Sequence, residues 1–333
     1  MQRQVDALLA QASLQRNAHL DETICLLDEE YNLVATGSLC ANTLRCIAVN
    51  DAHQGEGVTG QLVTALLERQ ALRSHHHVFL YTKPEGAHFF RDLGFHEIAR
   101  VPHRLVFMEN RCGAFASYLR GLALFFDATK RTAAVVMNAN PFTYGHQYLL
   151  ERASAENDAV HCFVVSEDVS LVPFHARFSL VKAGSAHLPN VSVHPSNSYM
   201  ISKATFPAYF LKEEKRITQT QAQLDIAIFS QIAEAMGISR RYIGDEPFSI
   251  ITQIYNDVMS AQLPQHGVEC LLISRKENNG APISASAVRQ LIHDGQLEAI
   301  KELVPPSTYA YFTSDTGKAI IQAIRAAKQV KHD

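Results

Sequence analysis

Two regimes of hydrophobic spacing divide the chain. In the first hundred residues, short apolar runs alternate with polar breaks. Thr23 to Leu27 and Leu33 to Leu39 flank the polar stretch Asp28-Glu29-Glu30-Tyr31-Asn32, the pattern of a β-hairpin. Leu44 to Val49 predicts a further strand, and Leu62, Val63, Leu66 and Leu67 fall at helical spacing. Val78 to Thr82, Ala87 to Leu93 and Glu97 to Arg100 then read as strand, helix and strand. Phe89 and Phe90 sit at helical spacing and are expected in the core. Residues 114–126 predict a short amphipathic connecting helix, and 127–132 a polar link.

Beyond the link the rhythm changes to one strand per helix. Strands are expected at Ala133 to Met137, Val160 to Val165, Val191 to His194, Arg240 to Gly244 and Val268 to Ser274. Helical spacing appears at Tyr148-Leu149-Leu150, at Arg177 to Ala183, and at Val288, Leu291 and Ile292. Such alternation argues for a doubly wound parallel sheet. The expected organisation is an α/β chain with an α+β module at 1–112, a linker at 113–132 and a Rossmann-like parallel-sheet domain at 133–333.

Composition narrows the partners. The net charge is −3 over 333 residues and no long basic stretch occurs, so nucleic acid is not an expected partner. The six cysteines are scattered without a C-x-x-C pair, which reads as buried thiols in a reducing compartment, not as disulfides or a zinc site. The N-terminus has no uninterrupted apolar region of signal type, and the apolar patch around Gly121 to Phe126 is too short to cross a bilayer. A cytoplasmic protein without a membrane partner is expected. The run His75-His76-His77 is expected to be a solvated loop. Adjacent residues on an irregular segment do not share a face, and a closed metal site needs about four ligands. No metal-ligating set is expected.

The chemistry concentrates at 133–150, AAVVMNANPFTYGHQYLL. An apolar strand ends in Asn140-Pro141-Phe142, a turn carries Thr143, Gly145 and His146, and a helix comes next. A helix N-terminus presents unpaired N–H groups and a positive dipole end, which attract phosphate. Gly145 permits close approach of backbone to a ligand, and His146 can donate to phosphate oxygens. A second helix start lies at Ile283-Ser284-Ala285-Ser286-Ala287-Val288-Arg289, where Ser284 or Ser286 is a candidate N-cap and Arg289 offers a planar fork for phosphate. Gly244-Asp245-Glu246-Pro247 ends a strand in a turn and is a candidate edge of the same nucleotide pocket. Arg177 is either a further phosphate contact or a solvated helix residue. In the first module, His53-Gln54-Gly55-Glu56-Gly57-Val58-Thr59-Gly60 is again a strand–turn–helix passage suited to a pyrophosphate.

These residues carry resemblances. Thr143-Tyr144-Gly145-His146 resembles the T/H-x-G-H signature of the nucleotidylyltransferase superfamily, and residues 283–289 its I-S-x-S-x-x-R signature. Gln54 and Gly57 resemble the Q/R-x-x-G-x-G/A turn of GNAT-type acetyltransferases, with Thr59 standing where Gly or Ala is expected. The whole order resembles the citrate lyase ligase family, from about Thr23 to Phe312.

That resemblance implies an ATP-dependent, AMP-forming acetylation. The acceptor it implies is the thiol of a dephospho-coenzyme A-like group on the acyl-carrier subunit of citrate lyase, with acetate as the acid and magnesium accompanying the ATP. It implies catalytic roles for His146, Thr143 and Arg289. It implies nucleotide or arm contacts for Asn140, Pro141, Phe142, Gly145, Ser284, Ser286, Gly244, Asp245, Glu246, Arg177, Gln54, Gly55 and Gly57. Two other classes share parts of the pattern: a nucleotidylyltransferase making a dinucleotide-type cofactor, and an acetyl-coenzyme A-dependent GNAT acetyltransferase.

Overall fold

Asp28 closes the first hairpin: its Oδ1 accepts the backbone N–H groups of Glu30 at 2.9 Å and Asn32 at 2.8 Å. The structure is a computed structural model that describes residues 1–17, 20–167, 169–200, 206, 209, 213–245 and 249–327. The chain forms two units, Met1–Tyr118 with Pro207–Ala227, and Leu119–Phe206 with Ile228–Asp333.

The first unit contains α1 (Gln2–Gln11), β1 (Glu22–Leu27), β2 (Leu33–Cys40), β3 (Thr43–Val49), α2 (Val58–Leu72), β4 (Phe79–Thr82), α3 (Ala87–Asp92), β5 (His96–Val101) and β6 (Leu105–Glu109). Its sheet runs β1-β2-β3-β4-β6-β5. All neighbours are antiparallel except β3 and β4, which pair in parallel at only Thr43–Phe79 and Leu44–Leu80. Leu62 and Leu66 of α2 pack with Leu39, Leu44 and Leu80 of the sheet. This is the α+β module expected of the first hundred residues. Phe90 is buried in it, whereas Phe89 is 57% exposed. Neighbouring positions on a helix point about 100° apart, so only one of the two faces the sheet.

A second cluster in this unit joins Leu8, Leu9 and Leu14 to Cys46 and Tyr209. The Cys46 thiol donates to the Gln15 carbonyl at 3.7 Å, and the Gln15 N–H donates to the Tyr209 carbonyl at 3.0 Å. Residues beyond 206 therefore return to complete the first unit.

α4 (Ala114–Ala123) falls within the expected connecting segment, ending three residues before Phe126. The second unit then holds β7 (Thr132–Met137), α5 (Tyr144–Glu156), β8 (Ala159–Val164), α6 (Phe174–Gly184) and β9 (Val191–Pro195). α7 (Glu214–Met236), which the hydrophobic spacing does not single out, is divided between the units at Ala227. After it come β10 (Ile238–Gly244), α8 (Ile250–Gln262), β11 (Glu269–Ile273), the short pair β12 (Glu277–Asn278) and β13 (Ala281–Pro282), α9 (Ala285–His293), α10 (Pro306–Thr313) and α11 (Asp315–Ala326).

The five long strands form a wholly parallel sheet ordered β11-β10-β7-β8-β9. Ala133, Ala134 and Val135 of central β7 are fully buried, as expected of a parallel strand covered on both faces. From β7 the chain proceeds to β8 and β9 on one side; from β10 it proceeds to β11 on the other. That reversal leaves a crevice at the carboxyl ends of β7 and β10, where doubly wound sheets receive ligands. No helix among the described residues is long and apolar enough to cross a membrane.

Candidate active site

A cavity of about 530 Å³ occupies this crevice. Its walls come from the turn after β7 (Asn138, Asn140, Thr143), the start of α5 (Gly145, His146), the ends of β10 and β11 (Gly244, Ser274, Arg275) and the start of α9 (Ser284, Ser286). Two helix N-termini thus converge on one space.

The first of them is held by a reciprocal cap. Thr143 is extended, with φ −125° and ψ 168°, and its hydroxyl accepts the His146 N–H at 3.4 Å. The Thr143 N–H donates in return to Nδ1 of His146 at 3.1 Å. A backbone N–H can only donate, so Nδ1 must be the acceptor and the neutral ring carries its proton on Nε2. The imidazole stacks on Phe142 at 5.8 Å between centroids. Burial, then the charges of Arg275 and Arg289, push its pKa down to about 4. His146 is therefore a neutral N–H donor on the cavity wall.

Gly145 has a second reason beside the one its sequence suggests. It lines the cavity, but a Cβ there would lie 2.9 Å from the Ile283 carbonyl oxygen. The missing side chain makes room for the protein's own backbone, and brings the second signature against the first.

The remaining expected residues make contacts within the protein. Pro141 is preceded by a cis peptide bond, and Pro141 and Phe142 are buried away from the cavity walls. Asn140 is buried; its Oδ1 accepts the Val172 N–H at 3.0 Å. Arg289 is 1% exposed and is not on the wall; it donates to the Asn140 carbonyl and to Ser286 Oγ, the latter at 3.4 Å. Ser284 caps α9 by accepting the Ala287 N–H at 3.1 Å. Arg177 is neither solvated nor on the wall. It is fully buried and donates to the carbonyls of Val165 at 2.7 Å, of Val172 and Asn138 at 2.9 Å, and of Glu167. Those loop carbonyls lie outside any ladder, and a buried carbonyl needs a donor. Gly244 is on the wall; Asp245 is set back from it, donating its N–H to the Ile273 carbonyl at 2.9 Å. Glu246 lies outside the described residues.

Comparison with known proteins bears directly on this arrangement. The family described as "Citrate lyase ligase C-terminal domain" matches residues 132–312. A citrate pro-3S-lyase ligase of Klebsiella pneumoniae is 38% identical over 92% of this chain and 91% of its own length. The chain belongs to the citrate lyase ligase family. The ligase of the same name from Escherichia coli (strain K12) is also 38% identical, over 87% of this chain and 84% of its own. That of Haemophilus influenzae is 34% identical over 91% and 94%. Among solved structures, Thermotoga maritima TmcAL bound with alpha-thio ATP is 14% identical with a TM-score of 0.36, covering 57% of each chain. Escherichia coli ElaA is 21% identical with a TM-score of 0.25, covering 27% of this chain and 67% of that one. Likeness at this level carries no argument about activity.

Asn138, Ser274 and Arg275 are among the wall residues that lie outside the set expected from the family's signatures. Arg275 comes two residues after β11, and only the pairing of β11 with β10 brings it to the crevice. No carboxylate lines the cavity among the described residues, and they contain no group of three His, Cys, Asp or Glu fit to hold a metal. The described wall residues thus supply no carboxylate to a magnesium ion. An ion arriving with a triphosphate would keep phosphate and water ligands.

The Gly-rich turn of the first unit is largely exposed. Gly55 and Gly57 have φ of 90° and 76°, so the left-handed turn into α2 is one that glycine favours. Gln54 Nε2 donates to Asp51 at 2.6 Å, and Glu56 pairs with His53 at 3.0 Å. Two carboxylates thus stand beside this turn.

Proposed function

We propose that this chain activates acetate with ATP and passes the acetyl group to the thiol of a dephospho-coenzyme A-like arm on the acyl-carrier subunit of citrate lyase, switching the lyase on. The observation that carries this reading is the neutral Nε2–H of His146, set at two converging helix starts in a chain whose relatives bear the ligase name. In the division we propose, residues 133–333 perform the adenylation, apart from the 207–227 stretch that completes the first unit, 1–112 receive the arm, and 113–132 connect them.

Acetate is a poor acyl donor. Its carboxylate oxygen attacks the α-phosphorus of ATP, the α–β bridging P–O bond breaks, and pyrophosphate leaves with the electron pair. The carrier thiol, having given its proton to solvent, then attacks the acyl carbon as thiolate, and AMP leaves. Neither step needs a covalent bond to the enzyme, so positioning and charge stabilisation supply the catalysis. His146 donates to phosphate oxygens as charge shifts between them. Before the nucleotide binds it is neutral, because a ring with a pKa of about 4 is not protonated near neutrality. Thr143 fixes the tautomer, and the start of α9, with Ser284 and Ser286 on the cavity wall, serves the phosphates.

The test is incubation of the full chain with ATP, acetate and thiol-form citrate lyase, measuring AMP and recovered lyase activity. AMP formed in step with reactivation supports the reading. A stable adenylylated product would replace it with a nucleotidylyltransferase. Acetyl transfer from acetyl-coenzyme A without ATP would replace it with an acetyltransferase.

A further inference from the structure

The cavity has one side chain of permanent charge among its described wall residues, and it is not the arginine of the second signature. Arg289 is buried behind the wall, where its guanidinium holds the Asn140 carbonyl and Ser286 Oγ. Arg275 is on the wall. Its Nε donates to the Asp245 carbonyl at 2.7 Å, which ties the guanidinium plane to the turn after β10. The two arginines therefore sit in different environments: one behind the turn that builds the site, the other on the wall of the cavity.

A polyphosphate carries several negative charges. Helix N-termini supply only partial positive charge. The walls carry no Lys among the described residues, and no carboxylate that would oppose an anion. A planar guanidinium is suited to bind two phosphate oxygens at once. We propose that Arg275 is the residue that grips the polyphosphate of the nucleotide in this cavity, while Arg289 is a positioning residue that holds the first-signature turn in place. This rests on the nucleotide reading above and assigns within it a residue outside both signatures.

The experiment compares ATP, pyrophosphate and adenosine as probes, by calorimetric titration of the full-length protein and of R275Q, R275K and R289K. A charge-assisted phosphate contact of ordinary strength corresponds to a loss on the order of tenfold to a hundredfold in affinity. R275Q is expected to lose that much for ATP and pyrophosphate and to keep adenosine within about twofold. R275K recovers part of the loss, since charge returns without the fork, and methylguanidinium added to R275Q restores part of the acetate-dependent pyrophosphate exchange. R289K is expected to melt earlier and to weaken ATP and adenosine alike.

An unchanged ratio of ATP to adenosine affinity in R275Q overturns the proposal. So does a selective loss of ATP in R289K alone. If the unsubstituted protein binds neither ATP nor adenosine, the nucleotide reading fails and this assignment fails with it. If it binds ATP but forms no AMP, the ligase reading fails while the affinity ratio still judges Arg275.

Discussion

The backbone N–H of Thr143 points at Nδ1 of His146, 3.1 Å away, so one local hydrogen bond sets which ring nitrogen faces the cavity with a proton. The cap that starts α5 and the donor that serves the site are the same pair of residues. Helix stability and ring chemistry are linked through them.

His146→Ala removes that donor. The variant should fold, since His146 keeps partial exposure on the cavity wall, and should lose acetate-dependent pyrophosphate exchange on the order of a hundredfold or more. Because His146 titrates near pH 4, the unsubstituted enzyme should show no limb near pH 6.5 that disappears in His146→Gln. A folded Ala variant with near-normal AMP production contradicts the assignment.

Gly145→Ala places a methyl group 2.9 Å from the Ile283 carbonyl oxygen. One backbone must give way, at a cost of about 1–3 kcal/mol. Urea unfolding should show the loss, and nucleotide affinity should fall with it because α9 is displaced from α5. Unaltered stability would mean that the two signatures are not in contact.

His161 and His194 are buried side by side, Nδ1 to Nε2 at 3.0 Å, with Phe125 edge-on to the His194 ring. Burial pushes each down to about 4, and the neighbouring His161 lowers His194 further. An unfolded imidazole titrates near 6.5. The folded state thus binds fewer protons in this window. Stability is complete above about pH 6.5 and declines as pH falls toward 4, by at most about 3 kcal/mol per ring. Denaturant midpoints between about pH 7.5 and 4.5 should show the slope, and His194→Gln should reduce it. An unchanged slope in that variant would falsify the attribution.

Thr59 and the carboxylates of Asp51 and Glu56 stand by the turn where an acetyltransferase cradles pyrophosphate. Free acetyl-coenzyme A should bind weakly and undergo no transfer to amines without ATP. A carrier-tethered arm tolerates weak intrinsic affinity, since docking of the carrier raises its effective concentration. Titrations with coenzyme A, dephospho-coenzyme A and thiol-form carrier protein test this. Tight binding of free acetyl-coenzyme A with ATP-independent transfer counts against it.

What the sequence made legible was local. The caps at Thr143 and Ser284 each span three residues, so the residue order alone announced them. The strand–helix alternation announced the parallel sheet. Arg289 and Arg177 have the look of phosphate ligands in the sequence because a helix-borne arginine looks alike in either role. Only tertiary packing shows that both guanidinium groups serve buried carbonyls. Arg275 needed the β10–β11 register, which no local pattern encodes. Phe89 and Phe90 show the same limit at smaller scale, since spacing alone did not decide which ring faced the sheet.

The return of residues 207–227 to the first unit bears on how this protein can be taken apart. A fragment ending at Tyr118 lacks Tyr209, which shares a cluster with Leu9 and Cys46. It also lacks the stretch of α7 whose Thr220 and Gln223 accept from Arg104 at 3.2 and 3.3 Å. A fragment beginning at Leu119 keeps that stretch without its partners, including the buried Ala222, Leu224 and Ile226. No single cut of the gene yields either unit whole. Exchange of one unit between related ligases needs three junctions, near residues 118, 206 and 227, and a chimera joined at the interdomain link alone would inherit a mismatched core.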